Sequence, residues 1–253
     1  MSRQRSKRNK SKSIYIWHRY AGLFAALFVI FLSVTGIALN HTDTLELKKQ
    51  HISSSILLNR YNIQAPSSIT HFEDGRRSVT QAGDFLFINN QYITSLDSSI
   101  VGVALLADFL IVATSNKLLV IDASNQLVET LREIDQVPNR LSRIGSYDKN
   151  VYFQANNQLF NIDDEFTIKK TDLIQPIDWS TSSPLSKQDE TTIIQRYKSN
   201  IISFETVMLD IHSGRFFGAY GALFFDFVGI ILLFLATTGI IIWLKQRPQK
   251  NER

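Results

Sequence analysis

Cysteine is absent from all 253 residues. That excludes disulfides, a Cys-x-x-Cys-His haem attachment and any zinc or iron–sulfur centre built on thiolates, but not haem held by histidines alone. Also missing are G-x-S-x-G, H-E-x-x-H, a P-loop and G-x-G-x-x-G, so nothing points to a hydrolase or to binding of nucleotide, NAD(P)H or flavin by this chain itself. Acid is nearly absent from the ends. The first twenty residues carry Arg3, Arg5, Lys7, Arg8, Lys10, Lys12 and Arg19 with no Asp or Glu, and residues 245 to 253 set Lys245, Arg247, Lys250 and Arg253 against Glu252 alone. Subtracting these tails, +7 and +3, from the whole-chain +4 leaves −6 for residues 21 to 244.

A hydrophobic content of 44% resembles that of a soluble domain because the apolar residues are gathered at the two ends. The first segment reads WHRYAGLFAALFVIFLSVTGIAL, Trp17 to Leu39, and the second IHSGRFFGAYGALFFDFVGIILLFLATTGIIIW, Ile211 to Trp243; each opens with His, then Arg and Gly, and closes on Thr-Gly. Residues 21 to 39 are free of charge, and roughly 19 residues at 1.5 Å each just cross a hydrocarbon core of about 30 Å. Residues 216 to 244 carry one charge, Asp226. Two membrane-spanning helices are predicted. The Lys/Arg bias places both tails, 1–20 and 245–253, in the cytoplasm and residues 40–210 on the far side of the membrane. Tyr15, Trp17, Tyr20 and Trp243 fit a cytoplasmic-side aromatic belt.

A cleaved signal peptide fits less well, since the apolar run exceeds an h-region and no A-x-A site comes after it. Nucleic-acid binding by the basic tail also fits less well. The tail abuts a span, where anionic headgroups attract each basic residue by about 1 kcal/mol.

Residues 40 to 210 read mainly as antiparallel strands. DFLFINNQYITSLD (84–97), DFLIVATSNKLLVID (108–122) and NVYFQANNQLFNID (150–163) each place Asn-Asn or Ser-Asn between alternating apolar positions and end on Asp, the pattern of a β-hairpin. Their spacing is irregular, and about 120 residues cannot close a propeller, so a sandwich-like sheet stack or a partial, propeller-like array is expected. Two helical pieces flank it, Thr44 to Tyr61 and Ser186 to Lys198, the latter with Ser186 as N-cap and Asp189 and Glu190 in its first turn.

WHRYAGLF, the adjoining TGIALNH, LLNRYNI at 57–63, the isolated Trp179, and above all MLDIHSGRFFG with FDFVGIILLFLATTGIIIW resemble the PepSY-associated transmembrane-helix family over nearly the whole chain. Larger relatives include inner-membrane reductases of ferric siderophores, which differ in having more spans. The resemblance implies a b-haem protein moving electrons toward the periplasm, with histidines at the helix ends as iron ligands.

The residues themselves allow such chemistry. An electron-carrying haem takes one axial imidazole on each face, and His41 after the first span and His212 before the second stand as an outer pair. His18, at the inner end, has no partner in the chain and needs a histidine from a second copy or another protein. Arg19 and Arg215 are candidates for haem propionates. His51 and His71, without metal-ligand spacing, read as solvated. Small residues, Gly22, Ala26, Ser33 and Gly36 on one span and Gly218, Ala222 and Gly229 on the other, permit close helix approach or leave room for a macrocycle. Asp226 is expected to face the bundle, a cofactor or a partner, coupling quinol deprotonation to electron entry, orienting a haem ligand, or bonding a hydroxyl such as Ser33 or Thr35. Two function classes fit these residues. One is a haem b electron-transfer subunit in a homodimer or larger membrane complex, fed by a quinol or membrane donor and emptied by a periplasmic redox partner. The other is a cofactor-free scaffold or sensor whose β domain binds a partner.

Overall fold

The computed structural model describes the backbone of residues 2–172 and 175–246 and side chains from Tyr15 to Lys245 apart from 173 and 174. The basic side chains at 3 to 12 and at 247, 250 and 253, on which the predicted sidedness rests, lie outside the described residues. The chain divides into two units, Met1–His51 with Ile202–Arg253, and Ile52–Ile201.

The first unit is helical. α1 runs unbroken over Ser2–Asn40, so the first span continues a helix that starts well before residue 21. α4 covers Phe204–His212 and α5 covers Ala219–Gln246. Tyr15–Asn40 and Ala219–Lys245 have mean hydropathies of 2.5 and 2.6, yet only 11% of each apolar window is buried. A soluble core helix would hide these side chains. Here Leu23, Leu27, Ile30 and Ile37 on α1, and Leu223, Phe227, Ile230 and Leu233 on α5, point outward, as hydrocarbon requires. The chain is a two-pass membrane protein.

α1 and α5 pack antiparallel. Gly22 meets Leu235, Phe28 meets Phe224 and Phe225, and Phe31 meets Phe225 edge-on at 6.1 Å. Ala25 and Val228 fill the seam, 1% and 0% exposed. With lipid on the outside there is no hydrophobic drive to associate, so close packing and polar contacts across this seam hold the pair.

α4 does not flow into α5. Ser203 caps its start by accepting the Thr206 N–H, and the helix ends at His212. Gly214 comes next at φ 76°, then one 3₁₀ turn at Arg215–Phe217 and Gly218 at φ 81°. A Cβ on Gly214 would stand 2.6 Å from the Phe225 ring, so only glycine fits this turn.

The helix expected over Thr44 to Tyr61 is not formed as one piece. Residues 41–49 are turns, with Glu46 at φ 51° and the Leu47 N–H returning to the Thr42 carbonyl, and only Ser55–Arg60 (α2) is helical. Tertiary pairing wins over propensity. The carbonyls of Leu47 and Gln50 accept the N–H groups of Glu205 and Phe204, and His51 bridges to Ser203, so the segment serves as a ledge for the start of α4.

The second unit is three antiparallel meanders in chain order. They are β1–β4 (Ile69–Glu73, Ser78–Ala82, Phe85–Ile88, Gln91–Ser95), β5–β8 (Ile100–Leu106, Phe109–Thr114, Leu118–Ile121, Leu127–Leu131) and β9–β12 (Leu141–Tyr147, Asn150–Ala155, Gln158–Ile162, Ile168–Thr171). β13 (Asp178–Trp179) pairs with the free edge of β9. The middle sheet explains the unbroken apolar run of residues 109–113. Leu110, Val112, Leu119 and Ile121 enter one core with the first sheet, and Ile111, Ala113, Leu118 and Val120 enter another with the third. A strand buried on both faces has no polar side to alternate with. α3 (Lys187–Ser199) starts at its expected cap, Ser186, and lays Ile193 and Tyr197 over Ala82, Phe85 and Phe87.

All three expected hairpins form. Asn89-Asn90 and Asn156-Asn157 take the paired positive φ of a type I′ turn, as do Asp148-Lys149. Ser115-Asn116 closes instead through the Thr114 N–H to the Lys117 carbonyl. In two of the hairpins the terminal Asp organises the next turn. Asp122 accepts the N–H groups of Ser124 and Gln126, and Asp163 those of Glu165 and Thr167. The Thr167 N–H, helped by Lys169, holds the Asp163 carboxyl below its usual range.

Candidate functional site

The Thr-Gly that ends each apolar run docks the histidine that opens the other. His18 Nδ1 lies 2.7 Å from Thr238 Oγ1, and His212 Nδ1 lies 2.6 Å from Thr35 Oγ1. Both threonines are 8% exposed and both imidazoles half-buried. The ring edges rest on the glycines: a Cβ on Gly239 would meet His18 Cε1, and one on Gly36 would meet His212 Cε1, each at 3.6 Å. The two contacts sit at opposite ends of the helix pair.

Each threonine hydroxyl also lies against its own helix, Thr35 at 2.9 Å from the Phe31 carbonyl and Thr238 at 2.8 Å from that of Phe234. This back-bonding to residue i−4 uses the only hydroxyl proton. In that arrangement the histidine donates from Nδ1 and the remaining nitrogen, Nε2, keeps its lone pair, the ring's donor and acceptor roles following its tautomer.

His212 is level with Thr35, about 9 Å of helical rise short of His41. His41 itself is exposed, and its side chain makes no hydrogen bond among the described residues. Arg215 is 65% exposed and engaged locally, by Asp210 at 3.3 Å and the Ser213 hydroxyl at 3.0 Å. Arg19 is exposed with its guanidinium 5.6 Å from the Tyr20 ring. Asp226, seven residues after Ala219, is exposed on the side of α5 away from Phe225 and Val228, and makes no side-chain hydrogen bond or ion pair among the described residues. The alternative of a bond to Ser33 or Thr35 is not realised, because Asp226 is exposed, and Thr35 meets His212 instead. His51 is solvated, as expected. His71 is not: it is 4% exposed, with Nδ1 at 2.9 Å from Thr80 Oγ1 and Nε2 at 3.2 Å from Glu73. The strand pairing of β1 with β2 sets His71 opposite Thr80 and so supplies a polar partner inside the core.

Among the hollows elsewhere in the described residues, two differ sharply in chemistry. An apolar groove of about 640 Å³ runs along the helix pair, lined by Leu27, Phe28, Phe31, Phe217, Tyr220 and Phe224 among others. A polar cleft of about 280 Å³ lies where β13 meets β5 and β9, and one of its walls is Trp179, whose ring carries the Arg143 guanidinium at 4.0 Å. Among the described residues no cluster of three or more acidic, Cys or His side chains is placed to hold a metal ion. Thr35 and Thr238 were visible in the sequence as the closing Thr-Gly of each run, but nothing there told which histidine each one meets.

No curated protein matches the chain. The family model described as the PepSY-associated TM region matches residues 1–246, which takes in both helices, both His–Thr contacts and the whole β unit, and the chain belongs to that family.

Proposed function

We propose that this protein is a b-haem electron carrier of the bacterial inner membrane, with both tails cytoplasmic and the β unit periplasmic. In this reading it takes electrons from a quinol or another membrane protein and delivers them to a periplasmic redox partner. Ferric-siderophore or flavoprotein reduction is the reaction class it would serve. The observation that supports this most directly is the pair of half-buried imidazoles at opposite ends of one helix pair, each with Nδ1 engaged and Nε2 open. Haem iron in an electron carrier takes such nitrogens, and a bound haem would supply one-electron chemistry. The donor set fits: an imidazole at each end on an apolar, outward-facing helix pair, with none of the competing thiolates that would select other metals. One chain offers His18 at one end, and His212 with His41 beyond it at the other. A second axial ligand at the His18 end comes from a second copy or another protein. The polar cleft under Trp179 is what favours the other reading, a scaffold whose β unit docks a partner.

A visible spectrum of the protein purified in mild detergent separates the two. A Soret band that sharpens on dithionite is expected, and it should be lost in large part in His18→Ala and His212→Ala but kept in His51→Ala. A colourless preparation, equal in amount to the protein, rules out the haem reading.

A further inference from the structure

We propose that Thr35 and Thr238 are positioning residues that select the ligand-competent tautomer of His212 and His18, each acting from the opposite helix; this deepens the proposed function and takes the open Nε2 atoms as its starting point. Two hydrogen-bonding schemes are compatible with an imidazole beside a threonine hydroxyl. In the first the hydroxyl donates to the carbonyl one turn back and accepts from Nδ1–H. In the second it donates to Nδ1, and the imidazole proton sits on Nε2. The first makes two hydrogen bonds and leaves only a lone pair open. The second makes one and leaves an N–H unpaired where water is scarce, which costs about 1–3 kcal/mol. The distances of 2.9 and 2.8 Å to the Phe31 and Phe234 carbonyls match the first scheme at both ends.

The choice of tautomer concerns the neutral ring, which is also the form that binds a Lewis acid. A neutral ring with its proton on Nδ1 binds a Lewis acid through Nε2, and the bond made by the other nitrogen fixes ring direction and raises basicity. The same device occurs twice, at 2.6 and 2.7 Å, with opposite polarity along the membrane normal. α1 thereby supplies the outer support for the histidine that ends α4, and α5 supplies it for the histidine near the start of the first span.

Nitrogen-15 NMR of histidine in the full-length, haem-free protein in detergent reads the tautomer directly. His18 and His212 are expected to show protonated Nδ1 and bare Nε2, assigned by loss of each signal in His18→Ala and His212→Ala and told apart from exposed His51, whose Nδ1 donates to the Lys49 carbonyl at 3.0 Å. Thr35→Val, close in volume but without the hydroxyl, should abolish the signature at His212 and leave His18 unchanged; Thr238→Val should do the reverse, and Thr35→Ser and Thr238→Ser should restore it. Titrated with hemin, the valine variants should bind roughly tenfold to a hundredfold more weakly, the range for lost outer support of a metal ligand. If wild-type His18 and His212 carry the proton on Nε2, or if the tautomer, hemin affinity and midpoint potential are all unmoved in both valine variants, the inference is overturned. Should the wild type show the Nδ1–H signature but take up no hemin, the haem reading fails while the tautomer selection stands. Where a valine variant does not fold, the tautomer in the wild type and in the serine variant decides.

Discussion

Asp226, expected to face the bundle, a cofactor or a partner, is exposed on the helix pair. A carboxylate inside a span usually turns toward the bundle, but this one looks away from α1 and is met by nothing in its own chain among the described residues. Insertion scales put an ionised group in lipid at about 2.5–3.5 kcal/mol, a cost that a second copy or another membrane protein would offset. Asp226→Leu should leave the melting of the β unit unchanged and shift the detergent-solubilised protein to a smaller species on size exclusion. An unchanged elution volume would mean that the carboxylate contacts only lipid or detergent. His71 carries the converse lesson. Nothing in a lone histidine among polar residues says that it is buried; the cross-strand Thr80 that makes burial tolerable is nine residues away and becomes a neighbour only once β1 pairs with β2.

At the level of elements, legibility depended on local chemistry. Asn89-Asn90 and Asn156-Asn157 announce their turns because asparagine tolerates positive φ, and Ser186 announces α3 because its hydroxyl caps the Asp189 N–H. The broken helix after α1 was not legible, because the carbonyls of Leu47 and Gln50 are claimed by residues more than 150 positions later. Likewise the histidine opening each run was visible and its threonine was not, for they lie 220 and 177 positions apart. The turn from α4 into α5 allows a sharp comparison among glycines. Gly214→Ala forces a Cβ into the Phe225 ring at φ 76°, a strain of about 1–3 kcal/mol, and should lower the thermal midpoint and displace His212. Gly36→Ala adds a methyl in ordinary contact with the same imidazole and should be tolerated. Equal melting curves for the two variants would show that the turn does not fix His212.

For the whole molecule the question is sidedness. The net charge of −6 between two basic ends supports an exported middle. Cysteine placed at Ser124, in the turn after β7, should react with an impermeant maleimide in intact cells, and cysteine at Ser2 only after lysis. The opposite pattern would invert the topology and exchange the membrane faces at which His18 and His212 lie.

Because the contact between His18 and Thr238 joins residues 220 positions apart, it also dictates an order of events during synthesis. α1 enters the bilayer first. At about 5–20 residues per second, Thr238 leaves the ribosome some ten to forty seconds after His18. Throughout that interval His18 stands in α1 without its partner, while the β unit is made. A half-made chain therefore carries His18 in its membrane anchor without Thr238, while Thr35 keeps its bond to the Phe31 carbonyl; the end of α4 closes the contact to Thr35 first, and α5 closes the one to His18 last.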